Sequence, residues 1–367
     1  MKKLGFGLMR LPTNENGIDI DETCRLADEF ISRGFTYFDT AAPYHAGASE
    51  KAFKAAVSDR YPRSAYTVTD KLSLFMIEKK EDMQPFFDNQ LKALGVDYID
   101  IYLIHSLSAR SYKKAQEFGA FEFAAEMKKQ GKVKHVGFSF HDTADVLDTI
   151  LTDHPEIEYV QLQINYLDWE DDAIQSRLCY ETAVKHNKPV IVMEPVKGGA
   201  LVDISKKAQT LMKEHSPDLS IASWAIRFAA SLDSVVMVLS GMSNEAQLKD
   251  NLSYMENFVP FTEKEFSIAK ECGEIIRNDI TVPCTACRYC VDDCPMNIAI
   301  PEYFRLFNDI NRFGIPKSVP LKNSYKDISS THGKASDCIK CGMCESLCPQ
   351  KIQITKLLER VSETFDK

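Results

Sequence analysis

The sequence predicts an α/β architecture: a (β/α)8 TIM barrel followed by a small helical, cysteine-rich domain. Three observations lead there. The chain has 367 residues, too many for one ordinary domain and suited to two. Over its first 260 residues, eight short runs rich in Val, Ile, Tyr and Phe alternate with helix-like segments, which is the barrel pattern. Of eleven cysteines, eight fall between Cys284 and Cys348, so the composition changes near residue 280.

The elements follow in order. The first strand covers 4–11, where Gly5 and Gly7 indicate tight packing. Gly5-Phe6-Gly7-Leu8-Met9-Arg10 lacks the third glycine of a dinucleotide-binding turn and lies inside a strand, which counts against a doubly wound sheet. A helix over 21–33 aligns Leu26, Phe30 and Ile31, and Gly34 stops it. Strands follow at 36–41, 67–71 and 100–105. A helix over 116–130 ends before Gly131. Then come strands 135–140 and 159–165, helix 174–186, strand 189–194, helix 219–231, strand 235–241 and helix 245–257. The chain therefore divides into a barrel (1–260), a connecting helix (261–280) and a cysteine-rich domain (281–367). In that domain, Pro301 opens a helix over 301–312 and Gly314 lies just past its end.

Composition removes several functions. A net charge of −9 argues against nucleic acid, whose phosphates call for a basic surface, and against a polybasic membrane-surface protein. No 18 apolar residues run together, so no transmembrane helix is expected. The start, Met1-Lys2-Lys3 and then Leu4 to Met9, mimics a signal peptide. Arg10 cuts the apolar run and no small-residue cleavage site follows. The expected location is the cytoplasm.

The cysteines form two runs, Cys284-x2-Cys287-x2-Cys290-x3-Cys294-Pro295 and Cys338-x2-Cys341-x2-Cys344-x3-Cys348-Pro349. Each is the bacterial ferredoxin run for a [4Fe–4S] cluster, whose fourth cysteine ligates the other cluster in two-cluster proteins. Cys284, Cys287, Cys290 and Cys348 are thus assigned to one cluster, and Cys338, Cys341, Cys344 and Cys294 to the other. Zinc would use Cys-x2-Cys pairs at a shorter gap, and disulfides would need export. Cys24, Cys179 and Cys272 read as small core residues. The clusters either carry single electrons or staple a small domain without a core of its own. The 43 residues between the runs are a long insert, so a helical ferredoxin-type iron–sulfur domain with at least one added helix is expected.

A barrel keeps its active site at the C-terminal strand ends. Asp39 ends the second strand with Tyr44 in the following loop, Lys71 ends the third and His105 the fourth. Together these four suit proton transfer to a carbonyl oxygen. An ammonium near the Tyr44 phenol is expected to lower its pKa from about 10; Asp39 would hold Lys71, and His105 would bond the substrate oxygen or relay the proton. No side chain supplies a hydride, so a nicotinamide is required.

These residues resemble the aldo-keto reductase family. The motifs are Asp39-Thr40-Ala41-x-x-Tyr44, Lys71, His105, Gly137-Phe138-Ser139, Pro195 and the stretch from Gly241 to Asn251, over roughly residues 3–257. With the cysteine tail, the chain is similar to the ferredoxin-containing branch of that family. The resemblance implies that Tyr44 is the general acid, completed by Asp39, Lys71 and His105. It implies that Ser139 and Gln161 contact the nicotinamide carboxamide, with Asp250 and Asn251 in place for adenine. Phe140 stands where the family has Asn, Met193 where it has the aromatic that stacks on the nicotinamide, and Glu194 where it has a small polar residue. Gly241 and Gln247 occupy the places of the Lys and Arg that hold a 2′-phosphate, so NADP and NAD both stay open. Glu194 and His141 near the rim read either as substrate-contacting groups or as a plain surface carboxylate and a surface histidine.

Hydride transfer moves two electrons and a cluster takes one, so a flavin (FMN or FAD) between them is a further expectation. The substrate class is a small carbonyl compound or alcohol, and the resemblance implies that the iron–sulfur domain, following the barrel's last helix, relays electrons or closes over the site where the family has a C-terminal loop. An electron-transfer protein linking NAD(P)H to a ferredoxin-type redox partner is the alternative.

Overall fold

The computed structural model of the protein describes the backbone of residues 2–279, 281–313 and 318–366, and the side chains of residues 2–277, 281–311 and 321–366. The chain opens with β1 (Leu4–Gly7) and a small hairpin, β2 (Thr13–Asn14) and β3 (Gly17–Ile18). Next come β4 (Tyr37–Asp39), β5 (Thr67–Leu72), β6 (Ile99–Leu107), β7 (Val133–Phe140), β8 (Tyr159–Gln163), β9 (Val190–Met193) and β10 (Val235–Ser240). All but the hairpin pair in parallel with their neighbours, and β1 closes the barrel between β4 and β10.

Side-chain alternation sorts each strand into two faces. Tyr37, Ile101, Leu103, Ile191, Met237 and Leu239 form one buried cluster. Their strand neighbours, such as Phe38, Tyr102 and Val238, pack in a second cluster with the surrounding helices. Gly5 has no room for a side chain: a Cβ there would stand 2.8 Å from Leu239 and 2.9 Å from Tyr37. The tight first strand read from its glycines is therefore a packing requirement. The helix Ile20–Ser32 starts on Asp19, whose carboxylate accepts from the Glu22 N–H, a cap worth about 1 kcal/mol. Gly34 follows in the left-handed region.

The eight barrel strands lie where the sequence puts them, five of them shorter and three longer than expected; the first is cut most, because after Gly7 the chain turns into a short 3-10 stretch, Leu8–Arg10. The helix expected over 116–130 is corrected. Gly119, at φ 66°, ends one helix (Ala109–Phe118) and starts another (Ala120–Lys129). A left-handed residue cannot continue a right-handed helix, and glycine adopts it without a Cβ clash. The connecting helix, Glu263–Asp279, buries Ile268, Ala269, Cys272 and Ile276 in the barrel core.

Beyond it, the described helices are Ile300–Phe313, Ser318–Ser329, Met343–Leu347 and Ile354–Phe365. Gly314, read as the stop of the first, lies outside the described residues. This region has a core of its own, around Ile298, Tyr303, Phe304, Tyr325 and the Ile354, Leu358, Val361, Phe365 face of the last helix. A stapled domain without a core is thereby corrected. Cys179 and Cys272 are buried as expected, their thiols pushed up to about 12 by burial. Among the described residues no helix is long and apolar enough to cross a membrane.

Candidate active site and cluster-binding module

The ends of β4, β5 and β6 bring the expected residues together. Lys71 is fully buried. Its Nζ donates to Asp39 Oδ1 at 2.6 Å and to the Thr40 carbonyl at 2.8 Å, and lies 5.1 Å from the centre of the Tyr44 ring. The other Asp39 oxygen accepts from Gln161 Nε2 at 3.0 Å. Asp39 is held from two sides, so the ammonium is held too.

His105 sits edge-on to Tyr44, ring centres 6.1 Å apart. Its Nδ1 shares a 2.7 Å hydrogen bond with Ser73 Oγ, which leaves Nε2 as the nitrogen for a substrate oxygen. The β6–β7 register slips between Ile104 and Leu107, and Ser106 has φ 57°. Ser106 N–H donates to Ser139 Oγ at 2.7 Å. A slip of this kind re-aims a side chain, and Ser139 fixes the backbone that carries His105.

Electrostatics alter one expectation. Burial, followed by Asp39, Asp70 and Glu194, pushes the Tyr44 hydroxyl well above its usual pKa, so Lys71 does not win. Desolvation and three carboxyls outweigh one ammonium. Tyr44 therefore keeps its proton at neutral pH. His105 is pushed well below its usual value by burial, Lys71 and His141, so it is neutral there.

The two adenine-contact candidates have partners within the chain. Asp250 accepts from Ser220 Oγ at 2.7 Å and Asn251 donates to Ser240 Oγ at 2.9 Å. Met193 ends β9, half-buried. The Arg10 side chain lies against Gly241, where a Cβ would come within 3.0 Å of it.

What sequence reasoning missed is which residues seal the barrel mouth against the cysteine-rich region. Arg10 Nη2 donates to the Thr285 carbonyl at 2.8 Å. Glu194, left-handed at φ 53°, lies 3.5 Å from Thr285 Oγ1 and accepts from Gln350 Nε2 at 3.3 Å. Lys197 is buried, paired with Asp168 at 2.6 Å and bonded to Gln350 Oε1 at 2.6 Å. Gln163 exchanges two 3.0 Å hydrogen bonds with Gln350. Burial pushes the Glu194 carboxyl up. His141 is half-buried: its Nδ1 is buried without a partner, and burial with Lys351 nearby pushes it down to about 4. A Gln after Cys-Pro carries no sequence signal for such a contact. Gln350→Ala leaves Lys197 and Gln163 short of partners. An unfolding free energy lower by about 1–3 kcal/mol is expected, together with faster hydrogen exchange at 197–200; chemical denaturation and exchange mass spectrometry check it.

Two cavities lie in the cysteine-rich region. One is lined by Cys284, Cys287, Cys290 and Cys348, with Thr285 and Gln350. The other is lined by Cys294, Cys338, Cys341 and Cys344. Each fourth cysteine thus stands with the other run. Among the described residues no three His, Cys, Asp or Glu gather tightly enough for a single metal ion; the thiols instead stand around a space. Burial and their neighbours push Cys284 up to about 11 and Cys287 to about 12. Grouped thiolates therefore need a cationic centre, which is the chemistry of an iron–sulfur cluster. The Ile298 N–H aimed at Cys294 Sγ, at 3.5 Å, is the kind of bond that tunes one.

The chain matches the sequence model of the Aldo/keto reductase family over residues 3–274 and that of the 4Fe-4S dicluster domain over residues 283–353. An aldo-keto reductase of Mycobacterium avium (strain 104) is 26% identical over 256 residues, covering 70% of this chain and 81% of that protein. The holo form of an aldo-keto reductase from Bacillus halodurans superposes with a TM-score of 0.59 at 23% identity, covering 74% of this chain and 91% of that one. An aldo-keto reductase from Klebsiella pneumoniae in complex with NADPH gives 0.59 at 17% identity, covering 73% and 90%.

Proposed function

The chain belongs to the aldo/keto reductase family of oxidoreductases, and on that premise we propose that it interconverts a small carbonyl compound and its alcohol with NADP(H). One observation carries the reading. The Lys71 ammonium, fixed by Asp39, faces the ring of Tyr44, with His105 edge-on beside it at the barrel mouth.

When bound, NADP(H) supplies or accepts the hydride. Tyr44, protonated, delivers its hydroxyl proton to the substrate oxygen. Lys71 steadies the charge left on the phenol, Asp39 and Gln161 hold Lys71 in place, and neutral His105 bonds the substrate oxygen through Nε2. NADP(H) is favoured over NAD and over a flavin because Klebsiella neighbours carry NADPH, or NADP with acetate. Arg10 beside Gly241 brings the positive charge that Gly241 and Gln247 lack. Ser139, Gln161, Met193, Gly241, Asp250 and Asn251 would hold the cofactor, with Gln161 offering its Oε1 and Ser139 its hydroxyl proton while keeping their present hydrogen bonds. The division into barrel (1–260), connecting helix (261–280) and two-cluster domain (281–367) belongs to this reading, as does a reducing cytoplasm that keeps eight thiols unoxidised.

Tyr44→Phe is expected to lower kcat/KM for carbonyl reduction by about 10²–10⁴-fold. An unchanged rate on every carbonyl tested would sink the reading. Because Tyr44 stays protonated, its titration leaves reduction unaffected between about pH 6 and 9, whereas alcohol oxidation, which needs the phenolate, rises with pH. Initial rates in both directions check the sign.

The electron-transfer reading is favoured by one observation, that Thr285 and Gln350 line the first cavity and also touch the mouth. Reduction of a one-electron dye by NADPH without a carbonyl, undiminished in Tyr44→Phe, would select it.

A further inference from the structure

Beside Lys71 the chain buries two carboxyl groups that the mechanism leaves unused. Asp70 precedes Lys71 in β5, points to the opposite face of the strand and is fully buried. Glu50, in the helix Ser49–Phe53, is 6% exposed. The two carboxyls are hydrogen-bonded to each other. A carboxylate has no donor, so this bond exists only when one of the two carries a proton.

The surrounding donors assign that proton to Asp70. Its Oδ1 accepts from the Lys71 N–H at 2.8 Å, but its Oδ2, also buried, receives no N–H or hydroxyl. Glu50 Oε1 accepts from Gln90 Nε2 at 3.2 Å, and Lys51 favours the Glu50 charge. Burial, then the Glu50 charge, pushes the Asp70 carboxyl well above its usual pKa. Burial pushes Glu50 up too, opposed by its bonds to Asp70 and Gln90. Two adjoining carboxyls in the interior cannot both ionise. The other titratable groups about Asp70 are Lys71 on its own strand, Tyr102 on β6 and Tyr44. The Lys71 ammonium is bonded to Asp39 and Thr40, and the Tyr102 hydroxyl donates to Gln90 Oε1 at 2.6 Å.

The pair bears on Lys71 through the backbone. The register between β4 and β5 ends at Asp39 and Thr69, where the Thr40 N–H still bonds the Thr69 carbonyl. Lys71 lies past that end. Its N–H goes to Asp70 Oδ1, and its carbonyl accepts at 3.0 Å from Gln90 Nε2, the same amide that holds Glu50. We infer that Asp70 carries a proton at neutral pH and donates it to Glu50, and that this carboxyl–carboxylate pair, with Gln90, positions Lys71. The inference rests on the reading that Lys71 takes part in carbonyl reduction. A neutral Asp70 leaves burial and Asp39, the larger causes, holding the proton on Tyr44.

Infrared spectroscopy of the full chain at neutral pH is expected to show a protonated-carboxyl band that Asp70→Asn removes. An amide has the shape of a protonated acid: it donates to Glu50 through Nδ2 and accepts from Lys71 through Oδ1. Asp70→Ala does neither and is expected to lower kcat for carbonyl reduction at least about tenfold; Asp70→Asn restores it. Unfolded, Asp70 ionises near its usual value of about 3.9; folded, it holds its proton. The folded state therefore binds more protons above that pH, and this contribution to stability falls as pH rises. Asp70→Asn lacks the fall, so its denaturation midpoint gains on the wild type's from about pH 5 to about pH 8. Four results overturn the inference: no such band in the wild type, a band that Asp70→Asn leaves in place, an Asp70→Asn variant as slow as Asp70→Ala, or an Asp70→Ala variant as fast as the wild type. If Asp70→Ala does not fold, the band and Asp70→Asn decide. A fully active Tyr44→Phe sinks the reading of the activity and leaves the band and the pH slope standing, so the two failures are told apart.

Discussion

Replacing Lys71 with methionine is expected to lower the unfolding free energy by about 3–5 kcal/mol and carbonyl reduction by at least about a hundredfold. Lys71 and Asp39 are both buried, with side-chain exposures of 0% and 5%, and 2.6 Å apart. Methionine fills much the same volume, so the loss is electrostatic: the Asp39 carboxylate stays in the interior with Gln161 as its remaining side-chain partner. The charge facing Tyr44 disappears in the same step. Denaturant unfolding and steady-state kinetics separate the two effects when Asp39→Asn is added. The double variant loses the unpaired carboxylate, so stability returns in large part. Activity does not return, because no ammonium faces the phenol. If Lys71→Met were as stable and active as the wild type, the buried pair would be neither structural nor functional.

Cys348→Ser is expected to remove the cluster of the other run, not that of its own. Cys348 lines the cavity of Cys284, Cys287 and Cys290, while Cys338, Cys341 and Cys344 line the second cavity with Cys294. Each substitution should cost about half the iron, since a thiolate ligand is lost. The decisive comparison is between pairs. Cys284→Ser and Cys348→Ser together should lose no more iron than either alone, because both act on one cluster. Cys341→Ser with Cys348→Ser should lose nearly all of it. Iron and sulfide analysis with EPR reads the pattern. The reverse pattern would mean that each run closes on itself. Melting of the region should be partial, because Tyr303, Phe304, Tyr325 and Phe365 keep an apolar core.

The strand ends were legible because a barrel strand places its last residues at the mouth whatever else the chain does. Asp39, Lys71 and His105 could therefore be named from position alone. The cysteines were legible because cluster ligation imposes a local spacing. The helix break at Gly119 was missed because one glycine within an apolar-periodic stretch reads equally as tolerated or as a stop. The last helix, Ile354–Phe365, follows directly on Cys348-Pro349, and its buried face became apparent only against the helices it packs on. Gln161 was assigned to a cofactor by resemblance; the fold shows that it also bonds Asp39.

The sequence by itself determined the eight-strand count, the placing of Asp39, Lys71 and His105 at successive strand ends and the pairing of cysteine runs, because each is written in local periodicity or spacing. Only the tertiary structure decided the proton state of Tyr44, the turn of Glu194 toward Thr285 and Gln350, and the burial of Lys197 with Asp168. These depend on desolvation and on contacts between residues as far apart as Gln163 and Gln350. Burial free energy belongs to the assembled environment and not to the residue, so no local pattern encodes it.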